Sequence, residues 1–409
     1  MKTKLLIFAL LISSLSFSQR IVEEINSVKL NQKREVMVVT PPSYETETSK
    51  KYPVLVLLDG DYLVDPFDGI LKYGNYWDDL PELIIVAIRQ NYGSTRDKDT
   101  EFNQEGVPVK NGAKFFEFIG MEVLPFIEAK YRTVPFRIIA GHGKTAALLN
   151  AYLYKDNPVF NGYISLGADM AYGMEFRVAE RLATISNPIH YYHATGEADL
   201  EELHQYAITL DQNITSSKKE SIKYKFDDIA GATHYSLVSQ AIPNALYFLF
   251  DGYQPISMVE YEKKIAVLNT GFTEYLINRY KEVEQKLGFE IKPRLSDFKA
   301  IEAAIIKNKA YSELPLLAKY ANKHYPKTTL SVYHEALYLE KMGEYKKAVK
   351  MYQRGFTVEP IRELTKDFML DRAEAIKNKA DAPKMIEEEK ETPAEENSSQ
   401  EKPVEEPKE

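Results

Sequence analysis

The sequence contains no cysteine among its 409 residues. This absence excludes disulfides, thiolate metal ligands, a thiol nucleophile and lipid attachment at a processing-site cysteine. Past the first residues, no stretch approaches the roughly 18 uninterrupted apolar residues that a membrane span needs. Positive charge is also in short supply, because 52 lysines and arginines are set against 60 aspartates and glutamates. We therefore expect a soluble protein that binds neither nucleic acid nor a membrane surface.

The first residues have the pattern of a secretory signal. Lysines stand at positions 2 and 4, a short apolar run follows from 5 to 12, and small residues precede Gln19. A positive start, a short apolar core and small residues before the cleavage point are typical of exported proteins. Residues 1–18 are therefore predicted to be a signal peptide, and the remaining chain to be periplasmic or secreted.

Residues 19–256 alternate short β-branched runs with helical stretches. This alternation is typical of a mostly parallel sheet with helices on both faces. The predicted strands are 35–39, 53–58, 83–87, 136–140, 162–166, 189–193 and 222–226. Helices are predicted at 113–131 and 145–155, and the first has apolar residues at helical spacing. The fold class of this domain is therefore α/β.

Residues 257–379 are rich in lysine and glutamate and have amphipathic helical patterns. The segment 331–360 predicts two helices joined at Met342–Gly343. Small and aromatic packing residues recur in it at Ala336, Tyr345, Ala348, Tyr352 and Pro360. This pattern resembles a tetratricopeptide repeat, and a degenerate copy precedes it, ending at Pro326. Two imperfect repeats are too few for a free solenoid, so we expect them to dock on each other or on the first domain.

Residues 380–409 are predicted to be a disordered acidic tail. From Asp381 to Glu409 the chain holds 11 acidic and 4 basic residues, which accounts for most of the formal net charge of -8. A segment rich in glutamate, proline, lysine and serine buries too little apolar surface to order itself. The folded part of the chain is therefore close to neutral.

A conspicuous motif lies at 137–146, where RIIAGHGKTA predicts a strand, a tight turn and a helix. The nucleophile elbow of α/β-hydrolases has the pattern G-x-S-x-G at such a turn. Gly141 and His142 match its opening. Gly143 stands at the serine position, and Thr145 stands at the position of the last glycine. Glycine tolerates the strained turn but has no oxygen to attack a carbonyl, so the acyl-enzyme route is lost here.

Other segments resemble, in the same order, the esterase family that includes esterase D and the enterochelin esterases. They are KREVMVVTPPSY at 33–44, YPVLVLLDGD at 52–61, IRQNYGSTRD at 88–97, GATHYS at 231–236 and the link YKEVEQKLGFEIKP at 280–293. The resemblance covers nearly the whole mature chain. It implies an α/β-hydrolase fold followed by a small all-α region, and a site of the esterase type.

The resemblance also implies which residues form the base of a relic triad. His234 lies where the family has its general base, on the loop after the last strand. The carboxylate that orients this histidine would come from 195–199, where Glu197 and Asp199 are open alternatives. Such an acceptor holds the imidazole in one tautomer.

The same resemblance suggests the groups that line the cleft. The backbone around Asp59 and Gly60 and the amide of Lys144 would be the oxyanion donors. His142, beside the turn, is a packing residue, a displaced base or a ligand contact. Arg96 and Asp97, at the cleft mouth, are expected to form a structural ion pair or to contact the substrate.

Several other motifs are excluded or given structural roles. A phosphate loop G-x-x-x-x-G-K-T would need glycine at 138, where Ile138 stands. His190 and His193 are three residues apart on one strand, so they point to opposite faces and do not share a metal. Thr145 and Ser165 are expected to pack or cap rather than replace the nucleophile. We therefore predict neither a cofactor nor a metal.

Two functions remain open at this stage. In the first, the protein is catalytically silent and binds an ester-like small molecule, or a protein partner through its helical repeats. In the second, it hydrolyses an ester, thioester or peptide with water that His234 activates as a general base.

Overall fold

The computed structural model describes residues 20–217 and 219–381. The predicted signal peptide at 1–18 and most of the predicted tail, from 382 onward, lie outside the described residues. The chain divides into two compact units, one up to Ala310 and one from Tyr311. Along the part of the chain that is described, no helix is both long and apolar enough to cross a membrane.

The first unit is built on an eight-stranded sheet. Its strands are β1 Arg20–Ser27, β2 Gln32–Val39, β3 Tyr52–Leu57, β4 Ile84–Ile88, β5 Thr133–His142, β6 Gly162–Leu166, β7 Ile189–Gly196 and β8 Ile222–Ile229. The spatial order is β1-β2-β4-β3-β5-β6-β7-β8. Strand β2 is antiparallel to both of its neighbours, and all other pairs are parallel. The predicted mostly parallel sheet is confirmed.

Helices connect the strands and continue beyond the sheet. They are α1 Gly60–Tyr76, α2 Thr95–Asp99, α3 Lys110–Phe118, α4 Leu124–Lys130, α5 Lys144–Leu148, α6 Met174–Thr184, α7 Glu201–Ser217, α8 Ser236–Leu249, α9 Met258–Glu260, α10 Phe272–Leu287 and α11 Leu295–Lys307. A π-helical segment at Ile119–Val123 joins α3 to α4 without a break. These three segments together correspond to the single helix predicted at 113–131. The helix predicted at 145–155 is α5 followed by a 3-10 segment at Leu149–Tyr154.

The central strands are apolar because both of their faces are covered. All six residues of β3 and all five of β4 are buried. Parallel strands between two helix layers need apolar side chains on both faces, and the sequences YPVLVL and IIVAI meet that need. The loops after the parallel strands all emerge at the same edge of the sheet, and the candidate site lies at that edge.

The first unit continues past the boundary predicted at 256/257. The buried carboxylate of Asp297, in α11, accepts hydrogen bonds from the Ile256 amide at 3.0 Å and from the Tyr280 hydroxyl at 2.7 Å. Arg294 forms an ion pair with Asp78, with 2.5 Å between Nε and Oδ2. Because these polar groups are bonded to residues at or before 256, the helices from 258 to 307 belong to the same compact unit as the sheet.

The second unit consists of helices in its described part. They are α12 Leu314–His324, α13 Thr329–Lys341, α14 Tyr345–Arg354 and α15 Lys366–Asp381. Helices α13 and α14 meet at Gly343, which has a φ of 75°. Ala336, Ala348 and Tyr352 are buried in the core of this unit, in keeping with their predicted packing role. The resemblance to a tetratricopeptide repeat stays a prediction.

Candidate functional site

The sharp turn at Gly143 lies between the end of β5 and the start of α5. Gly143 has a φ of 61° and a ψ of -121°, a conformation that glycine adopts without a steric penalty. Its amide donates to the Leu166 carbonyl at 3.0 Å, and its carbonyl accepts from the Ala147 amide at 3.1 Å. A Cβ at Gly141 would lie 2.8 Å from the Thr145 backbone, so the opening glycine of the motif is required by close packing.

Thr145 is an integral part of this turn, although a glycine was expected at its position. Its side chain is fully buried. The hydroxyl Oγ1 accepts from the His142 amide at 2.9 Å and donates to Asp59 Oδ2 at 2.7 Å. A buried hydroxyl with both partners costs little to bury, so the threonine stabilises the turn. Thr145 therefore has a structural role and is not a displaced nucleophile.

His234 and Asp199 lie opposite the turn, on the loops after β8 and β7. Nδ1 of His234 is 3.0 Å from Asp199 Oδ2 and 3.1 Å from Oδ1. The Asp199 carboxylate is inaccessible to solvent, while about a quarter of the His234 side chain is exposed. A carboxylate only accepts hydrogen bonds, so Nδ1 carries the proton in neutral His234 and Nε2 presents its lone pair. A Cβ placed on Gly143 would lie 3.4 Å from that Nε2 atom.

Of the two carboxylates predicted as partners of His234, Asp199 is the one that binds it. Glu197 instead accepts a hydrogen bond from the Gly231 amide, with Oε2 at 2.8 Å. The Ala198 amide also donates to the Ala232 carbonyl at 3.0 Å. Glu197 therefore connects the two loops that carry the pair, and it contributes to their relative position rather than to the orientation of the imidazole.

The carboxylate of Asp59, at the end of β3, is the centre of a hydrogen-bond network beneath the turn. It is fully buried and forms a bidentate pair with Arg96, at 2.6 Å to Nε and 2.9 Å to Nη2. Arg96 Nη2 also donates to the His142 carbonyl at 3.0 Å. These hydrogen bonds to Asp59 raise the pKa of Arg96 further above its usual range. Arg96 is therefore a fixed cation directly beside the turn.

The amide of Asp59 does not serve as an oxyanion donor, which corrects part of the prediction. It donates to Gln90 Oε1 at 2.9 Å, and this bond is buried. The remaining predicted donors are the amides of Gly60 and Lys144, each the first residue of a helix, where the amide has no intrahelical acceptor. The Lys144 side chain pairs with Asp97 at the surface, with 3.3 Å between Nζ and Oδ1.

His142 holds the histidine loop in place. Its Nε2 atom lies 3.0 Å from the His234 carbonyl, and its Nδ1 atom lies 3.0 Å from the Tyr62 hydroxyl. Burial and the neighbouring His234 lower the pKa of His142 to about 4, so the ring is neutral at physiological pH. A carbonyl only accepts, so Nε2 carries the ring proton and donates to it. His142 is thus a positioning residue for His234.

The other sequence candidates lie away from this site. Ser165 is buried and donates to the Ala146 carbonyl at 3.2 Å. His190 packs against Phe136 and Phe248, whereas His193 stacks on Phe226, so the two histidines face opposite sides of the sheet as predicted. Within 20–217 and 219–381, no group of three or more histidine or carboxylate side chains could hold a metal ion.

Sequence reasoning missed the contacts of the buried Gln90 side chain and of the Tyr62 hydroxyl. Gln90 lies in the segment IRQNYGSTRD, which carried part of the family resemblance. That resemblance did not indicate the contact between the Gln90 side chain and the Asp59 amide. Tyr62 lies three residues after Asp59 and donates from the first turn of α1, a spacing that brings side chains together in a helix.

A mostly parallel sheet, a strand-to-helix turn at the end of a central strand and a histidine-carboxylate pair facing that turn define an esterase-like hydrolase of the α/β class. The profile of the family described as Putative esterase matches residues 27–165. An uncharacterised protein from Capnocytophaga ochracea DSM 7271 is 30% identical, with a TM-score of 0.78, over 88% of this chain and 100% of its own. The chain therefore belongs to this esterase family.

The fold is also similar to that of an IroE-like serine hydrolase from Shewanella oneidensis. The two are 18% identical with a TM-score of 0.57, over 79% of this chain and 99% of the other. At this identity the likeness concerns the fold alone, and it agrees with an α/β-hydrolase fold followed by a helical region. No curated protein sequence matches the chain.

Proposed function

We propose that this protein is a catalytically silent member of the esterase family that binds an ester-like ligand in the cleft beside Gly143. The observation that carries the proposal is the distance of 3.4 Å between His234 Nε2 and the place where a Cβ of residue 143 would lie. A base held by a carboxylate thus faces the residue that should supply the nucleophile, and that residue has no side chain.

The loss of the nucleophile alone removes most of the rate. Removal of one member of a serine triad leaves on the order of 10³ to 10⁴ over the uncatalysed reaction, from the oxyanion donors and binding. This remaining rate enhancement is too small for an esterase that works through an acyl-enzyme. The amides of Gly60 and Lys144 and the fixed cation of Arg96 remain suitable for binding a carbonyl group without turning it over.

The proposal includes a place and a partner surface for the protein. The signal-like pattern at 1–18 supports export to the periplasm or beyond. Helices α12 to α15 offer a surface for a protein partner, by analogy with other helical repeats. Fractionation of cells that express the full chain tests export, since the protein is then found outside the cytoplasm and shortened at its amino end.

A second function is hydrolysis by water that His234 activates. The observation that favours it is the bond between Nδ1 and Asp199, which leaves Nε2 as an acceptor directed at the turn. A positioned general base contributes roughly 10² to 10⁴ in rate. In this case the wild-type protein turns over substrate by itself and loses that activity when His234 is replaced.

The deciding experiment compares hydrolysis of short- and medium-chain activated esters by the wild type, Gly143→Ser and Gly143→Ala. The alanine variant is the matched control, because it carries the same Cβ and the same strain at positive φ as the serine variant but no hydroxyl. Each variant is also made with His234→Ala.

We expect background activity from the wild type and the alanine variant, and hydrolysis by Gly143→Ser that requires His234. Activity of the wild type that disappears with His234→Ala would refute silence and support water activation. A folded Gly143→Ser variant that neither hydrolyses esters nor becomes acylated would show that residue 143 is not at a nucleophile position.

A further inference from the structure

We infer that the open edge of strand β8 pairs with the same strand of a second copy of this chain, in an antiparallel arrangement centred on Phe226. The inference concerns the rim of the sheet and is independent of the proposed function of the cleft. Strand β8 is the last in the spatial order of the sheet, so β7 lies on one side of it and no strand of the described chain lies on the other. Its sequence is IKYKFDDI, and most of its residues are half-buried.

Alternate residues of β8 direct their backbone groups to this open side. Strands β7 and β8 are parallel and in register over eight positions. At one end of the pair, the Ile189 amide donates to the Ser221 carbonyl at 3.2 Å. At the other end, the Glu197 amide donates to the Ile229 carbonyl at 3.1 Å. Because bonding alternates along a parallel ladder, the odd-numbered residues of β8 bond to β7, and the N–H and C=O groups of Phe226 face outward.

The outward backbone groups of Phe226 have no partner in the described chain. Among residues 20–217 and 219–381, no backbone or side-chain atom forms a hydrogen bond to them. The Ile222 amide, which faces the same way, instead donates to the Lys219 carbonyl of the preceding turn at 3.0 Å. Unpaired N–H and C=O groups at the edge of a sheet are a template for another strand. The middle of β8 can therefore accept a strand, whereas its first residue is already bonded.

The charges of β8 make the strand complementary to itself about Phe226. Lys225 precedes Phe226 and Asp227 follows it, and the two charged side chains share one face of the strand, where they form an ion pair at 3.2 Å. The Lys225 side chain is 38% exposed and that of Asp227 is 18% exposed. In an antiparallel pair centred on Phe226, residue 225 of each copy lies opposite residue 227 of the other. A two-fold axis through the pair therefore produces two contacts between a lysine and an aspartate.

The backbone and the charges together select this register. A register that sets an outward-facing residue opposite an inward-facing one leaves backbone groups without partners, so the pair has to be centred on a residue. Centring on Lys225 sets two lysine side chains opposite each other, and centring on Asp227 does the same with two carboxylates. Like charges directly opposite each other destabilise a strand pair. Centring on Phe226 lets its two copies exchange both N–H···O bonds and sets each lysine opposite an aspartate.

The same charges oppose pairing with other strands. Lysine on an edge strand discourages association with an uncharged or basic strand. The Asp227 side chain of a second copy gives Lys225 an opposite charge, so β8 is better matched to itself than to an arbitrary strand. An isologous pair uses the β8 edges of both copies and leaves none for a third. The expected assembly is therefore a closed dimer.

The test is the mass in solution of the mature protein, measured by sedimentation velocity over a roughly hundredfold range of concentration. Charge reversals at the two positions supply the variants. In a pair of Lys225→Asp chains, carboxylates lie opposite each other twice, and in a pair of Asp227→Lys chains, ammonium groups do so. We expect the wild type to form a dimer and each reversal to weaken self-association by about 100-fold or more.

Complementation separates strand pairing from damage to the fold. An equimolar mixture of Lys225→Asp and Asp227→Lys restores opposite charges at both cross-strand positions, and so does the double variant Lys225→Asp/Asp227→Lys. We expect the mixture and the double variant to recover the dimer. Lys33→Glu, a charge reversal at an exposed position of β2, is the matched control and should leave the mass unchanged.

The absence of cysteine from the chain allows a direct test of the register. Residues 225 and 227 would form a non-hydrogen-bonded pair, in which Cα atoms lie about 4.5 Å apart, within the range of a disulfide. A mixture of Lys225→Cys and Asp227→Cys brings the two cysteines together and keeps one lysine-aspartate contact between the copies. We expect the mixture to form a cross-linked dimer under mild oxidation faster than either variant alone.

Three results would overturn the inference. One is a wild-type protein that is monomeric at every concentration. Another is a dimer that survives both charge reversals, since the contact between the copies would then lie elsewhere. The third is a loss of the dimer that neither the mixture nor the double variant restores, because the reversals would then act through the fold.

Discussion

Replacement of Asp59 by asparagine tests whether the buried network beneath the turn stabilises the fold. Four donor groups converge on the two carboxylate oxygens, namely Nε and Nη2 of Arg96, the Thr145 hydroxyl and the Tyr62 hydroxyl. Asparagine has the same shape but no charge, and one of its two ends is a donor. The Asp59→Asn change therefore places a donor against donors and leaves Arg96 without its counter-ion.

The magnitude follows from burial. Removal of one partner of a fully buried ion pair costs about 3 to 5 kcal/mol. About a quarter of the Arg96 side chain is exposed, so solvent screens part of the unpaired charge. We therefore expect Asp59→Asn to lower the free energy of unfolding by about 2 to 3 kcal/mol.

The assay is urea unfolding of the mature protein followed by fluorescence of Trp77. This is the only tryptophan of the chain, and it lies in the first unit, so it reports on the part that contains the site. Arg96→Met and the double variant complete a double-mutant cycle. We expect the double variant to be less destabilised than the sum of the two single variants by about 1 kcal/mol or more. Each single variant leaves one buried charge unpaired, whereas the double variant removes both charges.

Two results would contradict this reasoning. One is a loss of less than about 0.5 kcal/mol for Asp59→Asn, the level of an ordinary surface change. The other is a cycle in which the two substitutions add, since groups that touch each other should couple.

Two further predictions concern packing and pH. Burial lowers the pKa of His190 to about 4, so the unfolded chain binds the additional proton first and stability falls as pH drops from about 6.5 towards 4. We expect His190→Leu to weaken this acid loss by roughly 3 kcal/mol, measured as the unfolding free energy at pH 8 and pH 4.5; equal acid losses in both proteins would contradict it. A Cβ on Gly196 would lie 2.1 Å from the Ala232 carbonyl, so Gly196→Ala must move the loop that carries His234. In the Gly143→Ser background we expect Gly196→Ala to lower the rate of ester hydrolysis at least about tenfold, because His234 is then displaced from residue 143. An unchanged rate would show that the loop can move without displacing His234.

The strands in the middle of the sheet could be predicted because buried strands are continuous apolar runs in the sequence. A run such as YPVLVL in an α/β protein indicates a central strand. The predicted strand 53–58 differs from β3 by one residue at each end. Strand β1 was missed because it lies at the edge of the sheet. Its sequence RIVEEINS alternates exposed and buried residues and contains as many charges as apolar side chains, so no apolar run reveals it.

Contacts between residues distant in the chain limited the prediction of the site. His234 and Gly143 follow from short motifs, since each motif is local. The choice between Glu197 and Asp199 depends on the path of the loop after β7. On that path the Glu197 carboxylate accepts a hydrogen bond from the Gly231 amide instead of facing His234. The role of the Asp59 carboxylate depends on Arg96, 37 residues away, and no local pattern links the two. The first unit extends past the predicted boundary for a similar reason, because Asp297 is bonded to the Ile256 amide and Arg294 to Asp78.

The backbone conformation of Gly143 sets reactivity and stability against each other in this fold. A residue with a side chain at a φ of 61° carries strain of about 1 to 3 kcal/mol, and an esterase accepts this strain in order to present its nucleophile. With glycine at this point the strain is absent. The chain is therefore expected to hold this turn at a lower cost in free energy than a relative that has a serine at the same position.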